Sequence, residues 1–165
     1  MKPLVGIVMG SDSDLPVMEE AGKVLDSFGV GYEITITSAH RSPKKTRDYI
    51  HSAEEKGIKI IIAGAGWAAH LAGVIAAETT MPVIGVPINS SPLLGLDSIL
   101  STLQMPSGIP VATMALGKGG ARNAAILAVQ ILAIGDKSLQ KKLKSYKKRL
   151  AEKVEEKDSK LKSKA

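Results

Sequence analysis

The sequence contains no cysteine, which removes disulfide bridges and thiolate metal sites together and gives no support to an oxidising compartment. Its three histidines, at 40, 51 and 70, are scattered, a poor start for a zinc ligand set. Aromatic residues make up only 3% of the chain, so there is little on which nucleic-acid bases could stack. Long apolar runs are also missing. The run Leu4 to Met9 is too short for the apolar region of a secretion signal and far short of the roughly 20 residues of a membrane span. A soluble cytoplasmic protein is the expectation, with neither membrane nor nucleic acid as partner.

At 165 residues and 44% hydrophobic composition, the chain has the size and apolar content of one ordinary domain. Its net charge of +6 is concentrated at one end. Residues 136 to 165 hold 12 Lys/Arg against 5 Asp/Glu, leaving 10 against 11 for residues 1 to 135. The body is therefore close to neutral and the tail basic, as expected of a solvated Lys/Glu-rich helix face.

Short apolar runs alternate with segments of helical period, the pattern of a parallel sheet covered on both faces. Strands are predicted at Leu4–Met9, Tyr32–Thr37, Ile58–Ala63, Val83–Val86 and Val111–Met114. Helices are predicted at Leu15–Phe28, Pro43–Lys56, Trp67–Glu78, Gly95–Leu103 and Gly119–Ile134. Pro43 suits a first helical turn and Gly57 a helix end. The fold class is α/β: a single three-layer, flavodoxin-like domain over residues 1–135, with a five-stranded parallel sheet in the order 2-1-3-4-5. A basic C-terminal helix over residues 136–165 carries Leu139, Leu143, Tyr146, Leu150 and Val154 in a narrow stripe. It is expected to pack on the body or on a neighbouring subunit and to fray from Asp158 to Ala165.

In that strand order the chain reverses direction beside the first strand, so a ligand crevice is expected at the carboxyl edge, between the loops after strands one and three. The first loop, Gly10-Ser11-Asp12-Ser13-Asp14, precedes a helix. Its hydroxyls, backbone N–H groups and helix N-terminus suit an anion. Asp12 and Asp14 would repel a phosphate, so one of them should serve sugar hydroxyls; Ser13 or Asp14 acting only as a helix cap is the plainer alternative. The loop Ser38-Ala39-His40-Arg41-Ser42-Pro43 pairs a guanidinium fork for phosphate or carboxylate with an imidazole able to trade protons near neutral pH. In Gly64-Ala65-Gly66-Trp67-Ala68-Ala69-His70, the outline Gly-x-Gly-x-x-Ala is a poor dinucleotide fingerprint, because Asn89 stands where an acid is required. Bare backbone at Gly64 and Gly66, open to a flat ring, is the better reading. His70, one turn into the helix, either lines the pocket or is structural. Gly117-Lys118-Gly119 fails the phosphate-loop pattern because Ala112 and Gly119 occupy its required Gly and Ser/Thr positions.

Taken together, Gly10-Ser11-Asp12-Ser13-Asp14, Ser38-Ala39-His40-Arg41 and Ala63-Gly64-Ala65-Gly66 resemble the N5-carboxyaminoimidazole ribonucleotide mutase family, the catalytic subunit of phosphoribosylaminoimidazole carboxylase. Ile84-Gly85-Val86-Pro87, Leu94 to Ser98, Gln104 to Val111 and Asn123-Ala124-Ala125 extend the likeness over residues 4 to 135. The resemblance implies an isomerase of purine biosynthesis that uses no metal and no cofactor and works as a homo-octamer. Ser11, Ser13 and Arg41 would hold the ribose phosphate, with Ser38, Ala39, Gly64, Gly66 and His70 also around the substrate. Asp14 would hold the ribose hydroxyls, and His40 would be the general acid/base. The substrate carbamate would release carbon dioxide into a closed pocket, carbon 4 of the imidazole would recapture it, and His40 would take the proton from carbon 4. Segments near Ser91-Pro92 and Met105-Pro106 are candidate lids.

Two residues depart from the family pattern. Trp67 and Ala72 stand where it has Gly and Pro, and Trp67 sets a large ring at the mouth of the ligand loop. The family's other branch carboxylates aminoimidazole ribonucleotide directly; Arg41 beside His40 resembles the mutase branch, where the carboxylase branch tends to carry Lys. A non-catalytic phosphometabolite sensor on the same scaffold is the alternative of another class.

Overall fold

The computed structural model describes residues 1–163. Residues 164 and 165, the end of the segment expected to fray, lie outside the described residues. The elements run β1 (Val5–Met9), a 3₁₀ turn (Asp12–Asp14), α1 (Leu15–Phe28), β2 (Tyr32–Ile36), α2 (Pro43–Lys56), β3 (Ile60–Ala65), α3 (Leu71–Glu78), β4 (Val83–Pro87), α4 (Leu96–Leu103), β5 (Ala112–Thr113), α5 (Gly117–Ala133) and α6 (Lys137–Lys162). All the strands pair in parallel, in the order β2-β1-β3-β4-β5, as the alternation of apolar runs and helical segments predicts. Among the described residues, no helix is long and apolar enough to cross a membrane.

β-Branched residues dominate the three central strands, and burial explains why. Ile7, Ile60, Ile61, Ile62 and Ile84 have no exposed surface, each burial stabilising by about 1.5–3 kcal/mol. Side chains alternate across the sheet. On one face Val8, Ile61 and Ala63 meet Tyr49, Ile50 and Ala53 of α2 and Leu71, Ala72 and Ile75 of α3. On the other, Met18 of α1 lies over Gly64 of β3. α2 begins with Pro43 in its first turn and stops at Gly57, whose φ of 82° lies in the left-handed region that glycine enters without a Cβ clash.

Register places the chemistry. Met9 lies opposite both Ile36 and Gly64, and Ala65 lies opposite Pro87. The loops leaving β1, β2, β3 and β4 therefore emerge level with one another at one carboxyl edge.

Behind that edge Glu20 of α1, 8% exposed, receives Lys23 at 2.7 Å and Arg122 of α5 at 2.6 Å. Hydrogen bonds from Lys23 first, and Arg122 next, hold the Glu20 carboxyl at about 2, down from its usual 4.5. A carboxyl depressed on folding stabilises the fold above the unfolded value and loses that contribution as pH falls through the folded one. Thermal melts from pH 6 down to pH 2 should show a stability loss that begins below about 4.5, and Glu20→Gln should flatten that part of the curve. An unchanged pH profile in the variant would exclude the linkage.

The chain divides into two compact units, residues 1–129 and the segment from Gln130 onward; the division falls inside α5. In the second unit Asp136 caps α6, its carboxylate accepting from Ser138 N at 2.7 Å and Leu139 N at 3.1 Å. Gln140 Nε2 donates back to Ala133 O at 2.7 Å. α6 continues to Lys162, into the segment expected to fray from Asp158, with an i,i+4 ion pair of Asp158 and Lys162 at 2.7 Å on its last turn. Along the apolar stripe, exposure rises from 7% at Leu139 to 46% at Leu150 and 67% at Val154.

Candidate active site

The loop after β1 is organised by its own hydroxyls. Ser11, extended at φ −153°, caps the 3₁₀ turn by accepting from Ser13 N at 3.3 Å, and Ser13 Oγ donates to Ser11 Oγ at 2.9 Å. Asp12 Oδ1 accepts from Ser11 Oγ and from Ser13 N, each at 3.0 Å, so its carboxylate is engaged within the loop. Asp14 is buried. Burial pushes its carboxyl up, opposed by a backbone hydrogen bond from Ser11 and by the charge of Arg41. Asp14 lines the main cavity, whereas Asp12 lines a neighbouring one.

The loop after β2 is pinned from below. Ser38 N donates to Ser42 Oγ at 2.9 Å, Ser42 N to Ser38 O at 3.0 Å, and the Thr37 hydroxyl meets the buried Thr46 hydroxyl at 2.8 Å. Arg41 N donates to Ser38 Oγ at 3.1 Å, and the guanidinium reaches across to donate from Nη2 to Gly10 O at 3.0 Å. That bond ties the second loop to the first. It also leaves the remaining guanidinium N–H groups for a ligand.

The loop after β3 departs from the expected helix start. α3 begins at Leu71, not Trp67, because Trp67 has φ 54°, in the left-handed region, and breaks the helical path. For a non-glycine residue this conformation costs on the order of 1 kcal/mol, and such strain gathers at functional sites. His70 is consequently the cap residue of α3 and not a mid-helix position. Its Nδ1 lies 2.8 Å from His40 Nε2, the two rings edge to face at 86°. One of these nitrogens carries the shared hydrogen and the other supplies the lone pair. Ser101 Oγ holds the loop by accepting from Ala69 N at 2.9 Å.

These loops line a cavity of about 570 Å³. Ser11, Ser13 and Asp14 line it from the first loop, Ser38, Ala39, His40 and Arg41 from the second, and Gly66 and His70 from the third. Nine of the ten anticipated positions are thereby brought together. Gly64 is the exception: it lies within β3, and the space its Cβ would take is filled by Met18, so it serves sheet packing. Gly66 does present bare backbone to the cavity, and a Cβ there would collide with Ser90 Oγ and sit 3.1 Å from Ile88 O. Ser90, Ala65, Ala68 and Leu71 also line the cavity and were not anticipated. For Ser90 a signal existed, since the loop after β4 leaves the edge beside that of β3. Among the described residues, no three His, Asp or Glu side chains gather as a metal-ligand set.

Comparison with known proteins agrees with this geometry. The model of the family described as AIR carboxylase matches residues 4–153. The N5-carboxyaminoimidazole ribonucleotide mutase of Pyrococcus horikoshii is 61% identical over 160 residues, covering 97% of this chain and 89% of that protein. The mutase of the same name from Thermotoga maritima is 55% identical over 159 residues, 96% of this chain and 92% of its own length. The crystal structure of Treponema denticola PurE superposes with a TM-score of 0.88 at 36% identity, covering 96% of this chain and 98% of that one. With the match running from the first strand into the last helix, and with the four strand-end loops in place, the chain belongs to the AIR carboxylase family.

Proposed function

We propose that the protein is an isomerase of purine biosynthesis, converting N5-carboxyaminoimidazole ribonucleotide into 4-carboxy-5-aminoimidazole ribonucleotide, with His40 as general acid/base. The observation that carries the reading is the sharing of one cavity by the His40 imidazole and the Ser11, Ser13 and Arg41 donors. An imidazole and an anion anchor so arranged suit a small heterocycle carried on a sugar phosphate. The hydroxyls and guanidinium take the phosphate, and Asp14 accepts from the ribose hydroxyls, which favour its ionised form against the burial that disfavours it. Gly66 lines the same cavity and offers its backbone to the ring.

The atoms balance without an external reagent. The bond from the exocyclic nitrogen to the carboxyl carbon breaks, and protonated His40 supplies the nitrogen with a proton. Carbon 4, activated by the amino group, then attacks the trapped carbon dioxide. Neutral His40 finally removes the carbon 4 proton, which restores both the aromatic ring and the imidazolium. His70 orients the His40 ring through their shared hydrogen bond. Carbon dioxide must not escape between the steps, so the open side of the cavity needs a cover.

The cover in this reading is a neighbouring copy in a homo-octamer with sites at subunit interfaces. Leu93, Leu94, Leu96, Leu100 and Leu103 are all about half exposed or more along one segment, and Ile34 and Ile36 are exposed on the edge strand β2. Apolar surface of this kind suits association. The stripe of α6 supports its packing on the body or on a neighbour. The phosphorylated substrate places the protein in the cytoplasm, where such nucleotides are retained.

One preparation tests both claims. Protein sized by light scattering is offered either the N-carboxylated nucleotide or aminoimidazole ribonucleotide with bicarbonate, without ATP, and ring carboxylation is followed by absorbance. Fast conversion of the first alone is expected, from an octamer. Conversion of the second at a matching rate would assign direct carboxylation instead, no conversion of either would leave a sensor, and a monomer at micromolar concentration would refute the octamer.

A further inference from the structure

We propose that Trp67 is a specificity residue, an indole wall that stacks on the heterocycle of the bound nucleotide at the reacting end of the cavity. The inference rests on the function proposed above and goes beyond it by assigning a residue that the acid/base and anchoring roles leave unused. Trp67 lines the same cavity as His40, Arg41 and Ser90. It is 59% exposed although it is the chain's one tryptophan, so most of a large flat surface is left without a partner beside a polar pocket. Aromatic faces in such positions take up planar rings.

The backbone supports the same assignment. Trp67 sits at φ 54° between Gly66 and Ala68, a conformation unfavourable for any residue with a Cβ and met with a bulky side chain mainly at functional sites. The strained turn is held by the Ala69 N bond to Ser101 Oγ, and Ser90 Oγ occupies the space that a Cβ on Gly66 would take. The flanking residues are small and do not compete for the space above the ring. Ser11 and Ser13 lie on the loop after β1 and the Arg41 guanidinium reaches back to Gly10 of that loop, whereas Trp67 lies on the loop of His70, which is bonded to His40. The indole is thus grouped with the imidazoles at the end that must accommodate the heterocycle, and it adds an apolar surface where carbon dioxide is to be kept from water.

A single tryptophan makes the test direct, since the intrinsic fluorescence of the whole protein reports this residue. The probes are 4-carboxy-5-aminoimidazole ribonucleotide and ribose 5-phosphate, which shares the anchor but lacks the ring; binding of each is measured independently by calorimetry. The nucleotide should shift or quench the emission at saturation and ribose 5-phosphate should not. Trp67→Gly, which suits the left-handed backbone, should weaken nucleotide binding about tenfold, as loss of one stacking contact does. Trp67→Phe should recover most of the loss, and ribose 5-phosphate should bind all three proteins alike. Nucleotide binding by Trp67→Gly at native affinity, or a saturated native protein whose emission does not move, would overturn the assignment. Emission that follows protein dilution and not ligand would overturn it too, by giving the indole to a contact between copies. A native protein that binds neither probe defeats the proposed function itself, and this inference with it.

Discussion

His40→Asn should lower turnover of the N-carboxylated nucleotide by about a hundred- to ten-thousandfold, the usual contribution of a positioned acid/base, while leaving the nucleotide Kd essentially unchanged. Asparagine is polar but shorter than the imidazole, whose Nε2 meets His70, so it gives up that bond; the second loop nevertheless retains its ties through Ser38, Ser42 and Thr46. What asparagine lacks is a proton that can leave and return. In the proposed cycle one imidazole both supplies the proton to the departing nitrogen and removes the one on carbon 4, so both halves fail together. Single-turnover absorbance gives the chemical step and calorimetry the affinity. A Kd that rises in step with the lost turnover would make His40 an anchor, and unchanged turnover would end its catalytic assignment.

Arg41→Met should act on the other parameter, raising the nucleotide Kd by roughly ten- to 150-fold, the equivalent of about 1.5–3 kcal/mol for a lost charge-assisted hydrogen bond. The guanidinium donates to Gly10 O, a neutral carbonyl, so an arriving phosphate does not have to break an ion pair to reach it. Asp14 feels the charge of Arg41, and burial pushes its carboxyl up. Arg41→Lys should recover only part of the loss, because an ammonium cannot both reach Gly10 and present a planar pair of donors. The ratio of native to variant affinity should also shrink at high salt. Native-like binding by Arg41→Met, measured by the same calorimetry, would remove Arg41 from the anchor.

Strand order and the ends of α1 and α2 were legible in the sequence, because apolar runs, Pro43 and Gly57 each carry a local physical signal. β3 was placed two residues early, at Ile58 instead of Ile60. The reason is that Ile58 N still bonds Ala53 O as part of the α2 cap, a role that an apolar pattern cannot distinguish from a strand. β5 shrank to Ala112–Thr113 at the sheet edge, where pairing on one side alone favours a short strand. In the site, the residues with conspicuous chemistry are legible, with Ala39 and Gly66 beside them, whereas Ala65, Ala68, Leu71 and Ser90 are not. Trp67 opens a stretch whose composition is helix-compatible, and its positive φ goes with a tertiary tie that no local pattern shows, the Ala69 N bond to Ser101 Oγ, 32 residues away along the chain. Gly64 and Gly66 look alike in sequence; β3 ends between them at Ala65, which leaves Gly64 inside the sheet against Met18 and Gly66 in the loop that lines the cavity.

The collision that any Cβ at residue 66 would make with Ser90 bears on inhibitor design. A compound seated against that stretch would contact peptide planes that cannot acquire a side chain without the adjoining loop giving way. Escape variants should therefore arise in the exposed side chains around the rim, and a scaffold that draws its affinity from the backbone floor would be harder for the organism to evade.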